Sequence, residues 1–150
     1  MALMDDVSAA IADAMRRQDR ARLSALRMLK AALMNRVVEK NRDLDAGEER
    51  QVVQSLVKQR KDSIEQFRLG NRQDLVDQET AEIAILETYL PPAPDPAVVD
   101  RAIADAIAES GATSMKDVGR VMKTVMAKLA GQNIDGKAVN ELVRARLGGA

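Results

Sequence analysis

A chain of 150 residues with 23 basic against 23 acidic side chains, 46% apolar and 31% charged, has room for one ordinary domain or two small ones. The lack of Cys excludes a disulfide framework and a thiolate metal site, and the uncharged runs are far too short to cross a membrane. Asp5 and Asp6 precede any basic residue, unlike the layout of a secretory leader, so a cytoplasmic location is the expectation. Phe67 and Tyr89 are the only aromatics, and the apolar content is Ala, Val, Leu, Ile and Met with few strand-like alternations. That favours an all-α fold.

In chain order, Leu3, Val7, Ile11 and Met15 form the stripe of a first helix that closes on Arg16 and Arg17, cations suited to a helix carboxyl end. Asp19 suits the cap of a second helix with Leu23, Leu26, Leu29, Leu33 and Val37 on one face, running to a polar link from Asn41 to Gly47. A third starts near Glu48, carries Val53, Leu56, Val57, Ile64 and Phe67, and stops at Gly70, the residue best suited to a left-handed cap. The fourth turns Leu75, Ile83, Leu86 and Leu90 inward. Arg60 falls in the middle of the third helix's apolar face and Glu79 inside the stripe of the fourth. An antiparallel fold at Gly70 is expected to bring them together as an inter-helix ion pair in a partly buried site; the competing reading is that Arg60 snorkels to solvent along its aliphatic stem.

Pro91, Pro92, Pro94 and Pro96 then forbid a continuing helix and mark a boundary: an amino-terminal bundle of about four helices (1–90), a stiff link (91–96) and a three-helix domain (97–150). In that last part, Ile103 and Ile107 lie in an alanine-rich helix ending at Gly111, and Ser114 with Asp117 makes a capping-box variant. The next helix places Val118, Val121, Met122, Val125 and Leu129 on one side and Lys116, Arg120 and Lys123 on the other. A final helix carries Val139, Leu142, Val143 and Leu147.

From Gly111 onward seven basic residues (Lys116, Arg120, Lys123, Lys128, Lys137, Arg144, Arg146) face three acidic ones, an excess of four on a neutral chain. The plain alternative is that they only cover the wet side of amphipathic helices. Gly119 lies within a helix, where it costs about 1 kcal/mol against Ala, so tight packing or close approach of a partner should offset it. Asp135 suits the cap of the last helix, leaving Gly136 and Lys137 beside free amides, either a plain cap or a phosphate seat.

Several separate motifs resemble those of YqeY proteins, the GatB/YqeY domain family, from about Arg22 to Leu147. They are Arg22-Leu23-Ser24 with Leu26-Arg27-Met28-Leu29, Lys58-Gln59-Arg60-Lys61-Asp62-Ser63, Glu82-Ile83 with Tyr89-Leu90-Pro91, Gly119-Arg120-Val121-Met122, and Asp135-Gly136-Lys137 with Val139-Asn140. The family's carboxyl-terminal helices are similar to the tail of the B subunit of the glutamine-dependent amidotransferase that converts mischarged glutamyl- or aspartyl-tRNA. That tail is associated with gripping tRNA rather than with chemistry. The resemblance implies a tRNA-associated role, with an amidotransferase or an aminoacyl-tRNA synthetase as a further partner. Free-standing members are usually assigned, by analogy, a carbon–nitrogen ligase activity with glutamine as amide donor.

The residues argue against catalysis by this chain. Ammonia release from glutamine needs a Cys or Ser with a positioned base, and there is neither Cys nor His, nor a glycine-rich elbow around any serine. Gly131 to Lys137 ends in Gly-Lys, but Ala138 stands where a phosphate loop needs Ser or Thr. Without His, Glu79, Glu82, Glu87, Glu48 and Glu49 cannot complete a di-iron bundle site. No cofactor and no metal are expected. The first reading is therefore a non-catalytic tRNA-binding module of translation whose candidate contacts are Lys116, Gly119, Arg120, Lys123, Lys128, Gly136 and Lys137. The tail has no aromatics for stacking bases, so phosphate and shape recognition of folded RNA is expected. The second reading is a protein-interaction adaptor without RNA, docking through Met115, Met122 and Met126.

Overall fold

A helix begins where side chains satisfy its free amides and stops where the backbone turns left-handed, and both signals are readable along this chain. In a computed structural model, which describes residues 2–148, they delimit α1 (Ala2–Arg16), α2 (Arg20–Lys40), α3 (Ala46–Leu69), α4 (Gln73–Glu87), α5 (Pro96–Ser110), α6 (Val118–Lys128) and α7 (Gly136–Gly148). No strand occurs among the described residues, so the fold is all-α. The Asp19 carboxylate accepts the Arg22 amide at 3.2 Å, and Asp45 with Glu48 forms a reciprocal capping box at 2.8 and 3.1 Å. Asp95 accepts the Ala97 amide at 2.8 Å with Pro96 in the first turn. Gly111 ends α5 at φ 67°. After α3, however, Gly70 has φ −87° and Asn71 takes the left-handed conformation at φ 56°. Asn is the non-glycine residue whose short polar side chain tolerates that region.

Two compact units result, one up to Leu90 and one from Pro91. In the first, Val7 and Ala14 of α1, Leu26, Leu29 and Leu33 of α2, Val52, Val53, Leu56 and Val57 of α3 and Leu86 of α4 form one core. Met15, expected inward, is 54% exposed and Ala14 is buried in its place. At 3.6 residues per turn Ala14 returns to within about 20° of Val7, whereas Met15 drifts about 80° away. In α4 the buried residues are Val76, Glu82 and Leu86, while Leu75 and Ile83, and Leu90 beyond the end of the helix, are only half-buried. This helix packs against both α2 and α3, so its inward face is set by two neighbours.

The second unit packs Ala102, Ile103 and Ala106 of α5, Val118, Val121, Val125 and Leu129 of α6, and Val139, Val143 and Leu147 of α7. Leu142 is 44% exposed, because it lies about 100° from the centre of the stripe that the other three define. The two last helices run antiparallel: a methyl group on Gly136 would lie 3.9 Å from Met126 Cε, and one on Gly148 would lie 3.1 Å from Met115 Sδ. Alpha6 is thus sandwiched between α5 and α7, and its remaining side faces solvent.

Candidate nucleic-acid interface

That solvent side carries Lys116, Gly119, Arg120, Lys123 and Ala127, all exposed. Ser114 and Asp117 build its entrance: Asp117 Oδ2 accepts the Thr113 and Ser114 amides at 3.1 and 3.4 Å, and a single 3-10 turn over Met115–Asp117 leads into α6. These amides, the Thr113 one foremost, hold the Asp117 carboxyl below its usual range, and Arg120 assists. Arg120 Nη2 donates to Asp117 Oδ1 at 2.8 Å, so its charge is already shared. Lys116, Lys123 and Lys137 make no ion pair among the described residues. A methyl group built on Gly119 meets nothing within 4 Å. Internal packing therefore gives no reason for a glycine there.

Folding also changes the charge count. Lys128 donates to Glu109 at 2.7 Å, which raises the lysine's pKa, and Arg146 lies 3.7 Å from Asp100. Both carboxylates belong to α5, just before the stretch where the basic excess begins. Over Pro91–Ala150 the totals are eight basic and seven acidic residues, so the unit is close to neutral. Lys128 lies on the flank of α6 turned to α5, away from Lys116 and Lys123. Asp135 accepts the Lys137 amide at 3.0 Å, as an α7 cap should, and Gly136 is half-buried against Met126. The candidate contacts thus separate into a group on α6 and the 3-10 turn leading into it (Lys116, Gly119, Arg120, Lys123), Lys137 at the start of α7, and Lys128 held elsewhere.

In the first unit, Arg60 is 4% exposed and surrounded by acceptors. Its Nε donates to Glu82 Oε2 at 3.0 Å, and Glu79 Oε2 stands at 3.9 Å. The guanidinium therefore meets Glu79, but its bond is to Glu82. The reason is α2: Ser24 Oγ donates to Glu82 Oε1 at 3.5 Å, so Glu82 lies where α2, α3 and α4 converge. A wheel comparison of α3 and α4 alone misses this third helix. The available signal was that Glu82 sits one turn beyond Glu79 on the same side of α4. Burial raises the pKa of Glu79, helped by the Glu82 carboxylate and opposed by Arg60. No cluster of three or more acidic residues suited to a metal ion occurs among the described residues. No helix among them is long and apolar enough to cross a membrane.

Comparison with known proteins follows the same helices. A profile described as Yqey-like protein matches residues 4–147. Three relatives share the name "Altered inheritance of mitochondria protein 41, mitochondrial". The one from Lachancea thermotolerans is 34% identical over 99 residues, 64% of this chain and 53% of the relative. That from Pyrenophora tritici-repentis is 25% identical over 144 residues, 95% of this chain and 79% of the relative. That from Kluyveromyces lactis is 39% identical over 77 residues, 51% of this chain and 42% of the relative. The matched part of the chain thus spans about half the length of the first of these relatives. Since the profile match runs through both helical units, from α1 to the end of α7, the chain belongs to the Yqey-like protein family.

Proposed function

We propose that this protein is a non-catalytic module that associates with tRNA through the solvent side of α6, in the company of an amidotransferase or an aminoacyl-tRNA synthetase. The observation that carries the reading is the pairing of two lysines without ion partners, Lys116 and Lys123, with a bare backbone at Gly119 between them. Phosphates need cations that are not already neutralised, and a glycine lets a bulky backbone approach the helix closely. The resemblance of the last three helices to the amidotransferase tail supports the same reading. Because the second unit is close to neutral overall, affinity is modest and steeply salt-dependent, and a larger enzyme presents the tRNA. The absence of Cys and His supports a role without chemistry.

The adaptor reading is favoured by a different observation. Met115, Met126 and Leu142 are 42%, 37% and 44% exposed on the second unit, whereas Met122 packs against its core. Such a surface suits a protein partner through apolar contact. Titrating salt against binding to unfractionated tRNA separates the two: tRNA association gives saturable binding that weakens steeply with salt, and the adaptor gives none. The cytoplasm is the proposed location. The relatives' names make fractionation with mitochondria the competing outcome of a localisation experiment.

A further inference from the structure

Met28 of α2 takes no part in the surface just described. Its side chain is 46% exposed, yet its sulfur accepts from Arg60 Nη2 at 2.9 Å, and Arg60 is almost wholly buried. The other two arms of that guanidinium end on oxygen: Nε on Glu82 Oε2 at 3.0 Å and Nη1 on the Leu56 carbonyl at 3.2 Å. Nη2 alone meets a thioether, a weak acceptor. Nη2 therefore gains less from its acceptor than the other two nitrogens do from theirs, and an oxygen on that sulfur would give it a stronger one.

We propose that Met28 is a site of reversible oxidation by peroxide and that Arg60 holds the resulting sulfoxide. A sulfur lone pair attacks one oxygen of hydrogen peroxide, and the S–O bond forms as the O–O bond breaks. The departing hydroxide takes the proton remaining on the transferred oxygen and leaves as water. Sulfur loses two electrons and the peroxide gains them. A thiol-dependent sulfoxide reductase restores the thioether. The unbranched side chain has the freedom to shift so that the new oxygen sits between sulfur and Nη2. Oxidised methionines ordinarily loosen a core by setting a polar oxygen among apolar groups. At Met28 the oxygen meets a cation and ties α2 more firmly to α3.

Met15 and Met34, 54% and 52% exposed, serve as internal references because neither accepts a hydrogen bond from a buried donor among the described residues. The full chain is exposed to limiting hydrogen peroxide, challenged with a protease while folded, and the intact survivors are mapped by mass spectrometry. The expected result is sulfoxide at Met28, enriched among survivors relative to sulfoxide at Met34. No oxidation of Met28 when Met15 and Met34 are oxidised, or equal or lower representation among survivors, overturns the proposal. Substitution gives an independent reading: Met28→Gln, whose amide oxygen mimics the sulfoxide, should melt above Met28→Leu, whereas Met34→Gln should melt below Met34→Leu. The same order at both positions would show that Arg60 gains nothing from an oxygen there.

Discussion

Arg60 owes its burial to Glu82, since a guanidinium removed from water is tolerated only where its donors are met by charge and hydrogen bonds. Arg60→Met or Glu82→Met alone leaves the other charge stranded and should cost about 3 kcal/mol of the first unit's stability. Both changes together should cost much less than the sum, and strict additivity in denaturant unfolding would mean that the two do not interact. Glu79→Met should couple more weakly, in keeping with its 3.9 Å separation. Two other carboxylates predict opposite responses to pH. Hydrogen bonds from Arg42 and the Asp45 amide lower the Glu48 pKa from the ordinary 4.5 to about 2. A depressed value contributes stability that is present above 4.5 and lost as pH falls toward about 2. Glu48→Gln should flatten that acid limb of the stability curve. Glu79, raised by burial, has the reverse sign: its contribution is present in acid and lost as pH rises through its raised value. Glu79→Gln should therefore be more stable than the parent protein at neutral pH and lose that advantage in acid. An unchanged difference across the titration would contradict the raised value.

At the scale of the helix, α6 holds its inward side by Val118, Val121, Val125 and Leu129 and leaves Gly119 with open space around it. Gly119→Ala meets no neighbour, so it should stabilise the second unit by up to about 1 kcal/mol from helix propensity and raise its melting point. Were the glycine there for a partner's close approach, the same variant should bind RNA more weakly while being more stable. A variant that is more stable and binds as well as the parent would remove Gly119 from the interface. How far such faces are legible in sequence differs from helix to helix. The stripe of α6, bounded by one helix on either side, reads directly from its periodicity. For α1, the choice between Ala14 and Met15 turns on a single residue of drift. For α4, the choice of Glu82 over Glu79 depends on α2, a helix some sixty positions upstream that a pairwise wheel leaves out. The caps at Asp19 and Asp135, by contrast, were legible because each acts on an amide two or three residues away.

Over the whole chain, the prolines after Leu90 divide two cores, each with its own helices and buried side chains. Cleavage within Pro91–Pro96 should release two soluble pieces, of which the larger melts cooperatively. Loss of cooperativity in that piece would mean that the two cores depend on each other. The charge excess of the tail was the least legible property, because α5 supplies Glu109 and Asp100 to Lys128 and Arg146 from outside the stretch where basic residues accumulate. In the tail, the lysines without an ion pair among the described residues are Lys116 and Lys123 on the solvent side at α6 and Lys137 at the start of α7, and the proposed tRNA association rests on the first two. The decisive measurement is the salt dependence of tRNA binding by the intact protein and by Lys116→Gln, Lys123→Gln and Arg120→Gln. Saturable binding is predicted, with the slope of log affinity against log salt falling by about 1 for each lysine and by less for Arg120, which Asp117 already engages. Binding that is absent at low salt, or a slope unchanged in the lysine variants, would contradict a tRNA surface on α6.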